Sequence, residues 1–266
     1  MKIITMATLK GGAGKTMNAF SIAGILAEKK RVLLVDVDPQ CNLTNNCGVD
    51  ITQRDRISIK DVFERTPREQ PDPAEITIYQ PIEELPKLDM IPSSIFLFKT
   101  EKEIFSKSDR ERILEKYFRK HRDFFESYDY IIIDTNPSMS FTNINAFLIA
   151  DDIVLSCDVS NNSLTGAELF CELWDETREE LGIEDNISAM LISNYDGRSN
   201  LAKELVEYSE TSSFSRDILL KTRINTTVKL KETEISHKPI NIYNKKHKAC
   251  EQYRQVIKEL KKGGIL

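Results

Sequence analysis

The sequence predicts an α/β fold, a doubly wound and mostly parallel sheet with helices on both faces. Three observations predict it. Short apolar runs alternate with helix-like segments, and the runs at 32–35 and 130–133 are continuously apolar, as in strands covered on both faces. The first two apolar runs of the chain, 3–9 and 32–35, lie about thirty residues apart, which fits a right-handed β-α-β crossover. Residues 1–266 are expected to form one domain, because no segment resembles a linker between two.

The elements are predicted from apolar periodicity, taken in order along the chain. Predicted strands are 3–9, 32–35, 87–91, 130–133, 153–157, 187–193 and 218–220. Predicted helices are 17–27, 57–63, 101–126 with a break near Ser108, 142–150, 164–181 with Trp174 buried, 201–209 and 248–262. Between these, 42–92 is expected to hold surface excursions and 221–240 to be a basic irregular stretch.

Composition narrows the possible functions. The net charge of −5 and the pI near 5.5 argue against nucleic-acid binding by the whole surface. From 216 to 262, however, 13 Lys or Arg stand against 5 Asp or Glu, which predicts either a basic face for nucleic acid or a solvated lysine-rich surface. The five widely spaced cysteines include no CxxC pair, so reduced thiols are expected.

The N-terminal residues lack the features of a signal peptide. No apolar run approaches the ~18 residues that cross a bilayer. We therefore expect a cytoplasmic protein with no membrane partner.

The stretch LKGGAGKT, at 9–16, follows the first predicted strand and opens the first predicted helix. Glycine-rich loops in this position bind polyphosphates through backbone N–H groups and the helix dipole. Lys15 is expected to contact the outer phosphates and the Thr16 hydroxyl to ligate Mg²⁺. Leu9 stands where the pattern GxxxxGK[ST] has its first glycine, and an extra lysine, Lys10, follows it. The alternative is an ordinary glycine-rich turn.

Three carboxylates, Asp36, Asp38 and Asp134, follow two of the apolar runs. The carboxyl ends of parallel strands are where α/β proteins bind ligands. With the glycine loop, an apolar strand ending in Asp indicates the metal-side carboxylate of a nucleoside triphosphatase. A buried strand that ends in a turn Asp is the alternative.

Three motifs stand in one order: KGGAGKT at 10–16, VDVDPQCN at 35–42 and IIIDTNPS at 131–138. The chain closely resembles the ParA family of partition ATPases, sisters of the Min-system ATPase, which carry a deviant Walker A box in a P-loop NTPase fold. The likeness continues through DMIPSS at 89–94, NYDGRSNL at 194–201 and LKETEISHKPI at 230–240.

The resemblance implies a weak, Mg²⁺-dependent ATP hydrolase that forms a homodimer when ATP is bound. It implies that Lys10 crosses the dimer interface to the partner's nucleotide and that Asp38 positions the attacking water. Asp36 and Asp134 would hold the magnesium and its waters, together with Thr16. The implied nucleotide-binding residues are Lys10, Gly11, Gly12, Ala13, Gly14, Lys15, Thr16 and Met17, with Asn194 as the candidate adenine contact.

Family members of this size bind DNA without sequence specificity, and a ParB-like centromere-binding adaptor stimulates their hydrolysis. A nucleoid-associated location is therefore implied, with a plasmid or a chromosome as cargo. By motif position the DNA-binding candidates are Arg198 and Lys229, and Lys221, Arg223, Lys245, Lys246 and Lys248 are expected to add to one basic surface.

The chain departs from the family pattern at Asn136, across 158–166 including Ser160 to Ser163, and at His237, all of which concern the implied dimer interface.

Two other functions of related proteins have their own sequence requirements. A Min-type, membrane-cycling ATPase requires the last helix to bind lipid through Tyr253, Val256, Ile257 and Leu260, whereas packing of these residues against the fold is expected. An electron-transfer protein of the same superfamily requires cluster-ligand cysteines, for which Cys157 and Cys171 are no convincing match.

Overall fold

The computed structural model describes residues 1–53 and 55–266. Its seven strands form one sheet in the order β3-β4-β2-β5-β1-β6-β7. Neighbouring strands are parallel except for the antiparallel pair β3 and β4. The strands are β1 Lys2–Ala7, β2 Val32–Asp36, β3 Ile78–Tyr79, β4 Leu88–Ile91, β5 Tyr130–Asp134, β6 Asp152–Asp158 and β7 Ile187–Ser193.

Helices cover both faces of the sheet, which confirms the predicted fold class. They are α1 Lys15–Leu26, α2 Asn42–Asn46, α3 Ile59–Glu64, α4 Pro73–Ile76, α5 Leu97–Ile104, α6 Ile113–Lys120, α7 Arg122–Glu126, α8 Phe141–Ile149, α9 Asn161–Leu181, α10 Asn200–Thr211, α11 Val228–Ser236, α12 Ile240–Tyr243 and α13 Lys248–Lys262. A 3₁₀ turn, Arg110–Arg112, precedes α6.

The continuous apolar runs are explained by burial on both faces. Along β2, Val32 and Leu34 pack with α1 and α13, whereas Leu33 and Val35 pack on the opposite face with α3, α6 and α7. Adjacent residues of a strand point to opposite faces, so a strand covered on both sides needs apolar residues throughout. A further cluster joins β6 to α8 and α9 around Trp174, which is fully buried as predicted.

Several predicted elements have the expected bounds. Strand β7 and helix α13 coincide with their predictions, and β2, β4 and β6 differ by one residue at one or both ends. The first strand ends at Ala7, two residues earlier than predicted, because Thr8 and Lys10 already form the turn into the glycine loop through Thr8 Oγ1.

The predicted break of the 101–126 helix near Ser108 is confirmed at Asp109, but the continuous helix predicted beyond it is wrong. The backbone of Asp109 is left-handed (φ 52°) and that of His121 is non-helical, so the region divides into α5, the 3₁₀ turn, α6 and α7. The predicted strand at 218–220 is also wrong, because in the described chain only Leu219 forms an isolated bridge there, to Met190.

The stretch 221–240, predicted as irregular, contains α11, and α12 begins at its last residue. Thr227 caps α11 by accepting a hydrogen bond from the Lys229 N–H. The short elements α2, α4 and β3 were not predicted either.

The apolar side of α13 is part of the core. Tyr253, Val256, Ile257 and Leu260 are all buried. Across the described part of the chain, no helix is both long and apolar enough to span a bilayer.

Candidate functional site

The glycine loop joins β1 to α1. Gly12 (φ 83°) and Gly14 (φ 84°) both adopt left-handed backbone conformations, which glycine enters at little cost. A side chain at Gly14 would also lie 3.0 Å from the Ser193 Cβ atom. Gly14 is the N-cap of α1, and the N–H groups of a first helical turn lack partners within the helix. The loop therefore presents donors suited to an anion.

A cleft of about 620 Å³ lies over this loop. It brings together the loop, Asp38 after β2, Asn194 after β7, and residues of the segment leading into α11. Every predicted nucleotide-binding residue lines it: Lys10, Gly11, Gly12, Ala13, Gly14, Lys15, Thr16, Met17 and Asn194. Asn194 has a left-handed backbone (φ 53°) and donates a hydrogen bond to the Gly12 carbonyl, 3.1 Å away.

Lys15 connects the loop to the end of β5. Its Nζ atom lies 2.6 Å from Asp134 Oδ1 and also donates to the Thr135 carbonyl. Lys15 is 6% exposed and Asp134 is fully buried, so each charge compensates the other in a site with little solvent.

Asp36 lies beside Asp134 in the register of β2 and β5. Its carboxylate accepts the Asp38 N–H at 3.0 Å and both the N–H and the hydroxyl of Thr44, at 2.9 and 2.7 Å. Burial, and then the neighbouring charge of Asp134, raise the pKa of Asp36 above its ordinary range. Asp36 thus attaches α2 to the end of β2.

Asp38 lines the cleft and is 4% exposed. Its Oδ1 atom accepts the Gln40 N–H at 2.8 Å, which fixes the carboxylate relative to the loop after β2. Burial raises the pKa of Asp38, while this hydrogen bond and the charge of Lys15 oppose the rise. A partly desolvated carboxylate of this kind is suited to orient water.

The cleft contains oxygen donors that suit a magnesium ion bound together with phosphate. The described residues contain no cluster of three or more His, Cys, Asp or Glu that could hold a metal by itself. Mg²⁺ typically binds through one or two protein oxygens together with phosphates and waters. Thr16 lines the cleft, and Asp134 Oδ2 is buried without a hydrogen-bond partner. These two residues fit the ion, whereas both Asp36 oxygens already accept hydrogen bonds from the protein.

Lys10 lies at the cleft and is 31% exposed. Its Nζ atom is 2.7 Å from both Asp158 Oδ2 and Ser160 Oγ, and Ser160 in turn donates to Asp158 Oδ1 at 2.6 Å. Asp158 ends β6 at the same edge of the sheet as Asp36 and Asp134. Sequence reasoning missed it as a partner of Lys10, although the strand-end rule that identified the other carboxylates applies to it.

The predicted DNA-binding residues fall into separate groups. Arg198 is 92% exposed and pairs with Asp196 at 2.8 Å. The Arg223 guanidinium lies 5.6 Å from the centre of the Tyr195 ring. Lys221 is exposed, and Lys229 pairs with Glu232 at 2.7 Å.

Lys245, Lys246 and Lys248 are exposed around the start of α13. There the charge of Lys245 helps to lower the pKa of Glu28, beyond the end of α1.

Two departures from the family pattern have structural roles. Asn136 accepts from the Asn143 side chain through its carbonyl and its Oδ1 atom, which holds the loop after β5 against α8. His237 ends α11 with a left-handed backbone (φ 53°), where glycine is the usual residue, and its Nδ1 atom lies 2.7 Å from the Asn45 carbonyl.

The fold and the cleft define a P-loop nucleotide-binding protein. An AAA domain family model matches residues 1–189. The sporulation initiation inhibitor protein Soj of Bacillus subtilis is 30% identical over 264 residues, which cover 99% of both chains. The chromosome partitioning protein ParA of Myxococcus xanthus is 30% identical and is aligned over 98% of this chain and 88% of its own.

Among solved structures, an ATP complex of McdA from Cyanothece has a TM-score of 0.82 at 19% identity, covering 98% of this chain and 96% of its own, a likeness of fold. From the likeness of sequence, the chain belongs to the Soj/ParA family of partition ATPases.

Proposed function

We propose that this ATPase works as a DNA-partition switch. In this proposal its cofactors are ATP and Mg²⁺, the ATP-bound chain forms a homodimer, and the dimer binds DNA of any sequence. Hydrolysis, stimulated by a ParB-like adaptor on a centromere, then releases it. The observation that carries the proposal is Lys10, a second lysine that lines the cleft with Lys15 but is 31% exposed and is held by Asp158 and Ser160.

A cation donated by the partner explains why dimerisation would depend on ATP. Two polyphosphates that face each other across an interface repel strongly unless cations compensate them. Lys15 supplies one charge to the nucleotide of its own chain. Lys10, once released from Asp158, supplies another to the nucleotide of the partner, so the interface is stable only when both clefts hold phosphate.

The residues of the cleft have separate roles in hydrolysis. The loop N–H groups and Lys15 bind and orient the phosphates, and Asp38 orients the attacking water. Thr16 and Asp134 are the residues that would hold Mg²⁺, which supplies charge neutralisation at the outer phosphates when it is bound. One buried carboxylate acting on water is consistent with slow turnover in the absence of an adaptor.

In this proposal DNA is bound by basic residues of the segment between β7 and α13. They are Arg198, Lys221, Arg223, Lys229, Lys245 and Lys246. The affinity of such phosphate contacts does not depend on DNA sequence and falls with salt concentration. This suits a cytoplasmic protein that binds anywhere on the nucleoid.

A Min-type membrane function is not proposed. It would require the apolar side of α13 to face lipid, but Tyr253, Val256, Ile257 and Leu260 are buried in the core.

The test is a mobility-shift titration with long duplex DNA of unrelated sequence under ATP, ADP and no nucleotide. The proposal predicts tight binding with ATP only, and no such binding by Lys15→Ala, which lacks the phosphate contact. Equal DNA affinity in the three nucleotide states, or no DNA binding in any of them, would contradict the switch.

A further inference from the structure

Asn18 is a fully buried amide in α1, one turn beyond Gly14. Its Nδ2 atom donates to Ser156 Oγ in β6 at 3.1 Å and lies 3.0 Å from Ser193 Oγ in β7. Its Oδ1 atom accepts the hydroxyl of Tyr253 in α13 at 2.8 Å. A single side chain of the loop-bearing helix therefore contacts two strands and the C-terminal helix.

This contact lies next to the phosphate-binding loop, and Asn18, Ser193 and Tyr253 belong to the buried lining of the same cleft. Ser193, one of the Asn18 partners, is also the residue that approaches Gly14 most closely. The Asn18 N–H donates to the Gly14 carbonyl at 2.8 Å, as the first hydrogen bond of α1. Because buried polar groups are costly without partners, the three hydroxyls restrict how α1 and its loop can rotate.

Tyr253 connects this contact to the basic segment 221–226. The next residue toward the N-terminus, Gln252, donates to the Arg223 carbonyl at 2.8 Å and accepts the Asn225 N–H at 3.3 Å. Two turns further along α13, Glu259 accepts the N–H groups of Lys221 and Thr222, at 2.7 and 3.0 Å. Helix α13 thus contacts the loop helix through Tyr253 and, through Gln252 and Glu259 on an adjacent face, the backbone that carries Lys221 and Arg223.

We propose that Asn18 and Tyr253 are positioning residues for the phosphate-binding loop, and that α13 transmits nucleotide occupancy from them to the basic segment 221–226. A nucleotide that shifts the loop when it binds also shifts α1, because the loop leads directly into this helix. Helix α1 is joined to α13 by the hydrogen bond between Asn18 and Tyr253. The second half of this inference rests on the proposed DNA binding, whereas the first half does not.

The first half is tested with Tyr253→Phe, which removes the hydroxyl and retains the buried ring. Its matched control is Tyr117→Phe, since Tyr117 is also fully buried and donates its hydroxyl to a protein oxygen, the Pro71 carbonyl at 3.0 Å. Each variant loses one buried hydrogen bond, so a purely structural role lowers the melting temperatures of both and spares ATP affinity.

Titration with a fluorescent ATP analogue, well below the melting temperature, distinguishes a positioning role of the Tyr253 hydroxyl from a purely structural one. We expect Tyr253→Phe to weaken binding by about 3- to 10-fold, the value of one hydrogen bond, and Tyr117→Phe to bind as the wild type does. Equal affinities for all three proteins would overturn the positioning role, as would equal losses in both variants.

The second half is tested with Gln252→Ala at saturating ATP. This variant breaks the link between α13 and residues 223–225 on a part of α13 that is only partly buried, so folding is retained. We expect unchanged affinity for the ATP analogue and a smaller ratio of DNA affinity with ATP to that with ADP. An unchanged ratio would overturn the transmission. A wild-type protein that binds no DNA would instead contradict the proposed function and leave the ATP-analogue result standing.

Discussion

Single residues at the carboxyl edge of the sheet decide the chemistry. Lys15 and Asp134 form a buried ion pair, and Asp38 lines the cleft beside them. Asp36 differs from its neighbours, because its oxygens are occupied by Thr44 and the Asp38 backbone. We therefore propose that Asp36 positions α2 and that Asp38 orients water.

Asp38→Ala separates binding from hydrolysis. Loss of the water-orienting carboxylate should lower ATP turnover by about 100-fold or more, in the range found for general acid–base groups. ATP affinity should change little, because Asp38 does not contact the loop N–H groups or Lys15. Turnover is measured by phosphate release and affinity by equilibrium titration, with Asp38→Asn as a neutral variant of the same shape. A loss of affinity as large as the loss of turnover would refute this role.

The elements are joined to one another by a few buried polar contacts. One of them is Glu101 of α5, whose carboxylate accepts the N–H groups of Phe141 and Thr142 at 3.1 and 2.9 Å. These are first-turn donors of α8, the helix that follows the loop after β5. Glu101 thus caps α8 from another helix.

Glu101→Ala should lower the free energy of unfolding by about 1–2 kcal/mol, as loss of a helix cap does. Glu103→Ala is the control, because Glu103 is exposed on the same helix and its loss should cost less than about 0.5 kcal/mol. Urea unfolding of both variants measures the difference. Equal stabilities of the two would show that the cap contributes nothing.

Glu28, after α1, makes stability depend on pH. Burial alone would raise its pKa, but hydrogen bonds from Arg254 and Asn241 outweigh this and lower the pKa below 4.5. A lowered pKa stabilises the fold above pH 4.5, and this contribution disappears as the pH falls through the folded-state value.

Glu28→Gln should therefore reduce stability by about 0.5–1 kcal/mol at neutral pH. Its difference from the wild type should shrink toward zero under acid conditions. Thermal unfolding of both proteins across the acid range measures this. A difference that stays constant with pH would mean that the Glu28 charge is not responsible.

Sequence patterns predicted the features that are encoded in short, continuous stretches of the chain. The glycine loop and the apolar strands ending in Asp can be recognised within ten residues of chain, and they were placed correctly at the sheet edge. Helix α11 was missed because its buried residues, Leu230 and Thr233, do not form an apolar stripe, and the second break in the predicted long helix, at His121, was missed because no Gly or Pro marks it. Asn18 and Tyr253 are 235 residues apart, so only the folded chain reveals their contact.

On the scale of the whole molecule, charge is separated along the chain. The positively charged C-terminal region, 216–262, includes most DNA-binding candidates. It packs on the face of the sheet that α1 covers. Lysine and arginine contacts to phosphate release counterions, so each one adds to the salt dependence of binding.

Arg198→Ala should weaken DNA binding for all sequences alike and lower the slope of log affinity against log salt by about one. Arg65→Ala is a matched control, because Arg65 also pairs with an aspartate, Asp61 at 2.7 Å, and follows α3 on the other face. Titrations at several salt concentrations measure the slopes. Identical slopes for wild type and Arg198→Ala would exclude Arg198 from the interface.

If each nucleotide site is completed by Lys10 of a second chain, two inactive variants should restore activity when they are mixed. Lys10→Ala lacks the donated cation and Asp38→Ala lacks the water-orienting carboxylate, but a mixed dimer contains one site with both. An equimolar mixture is expected to regain up to about a quarter of wild-type ATP turnover, since about half of randomly formed dimers are mixed. A mixture no more active than the average of its two components would contradict a shared site.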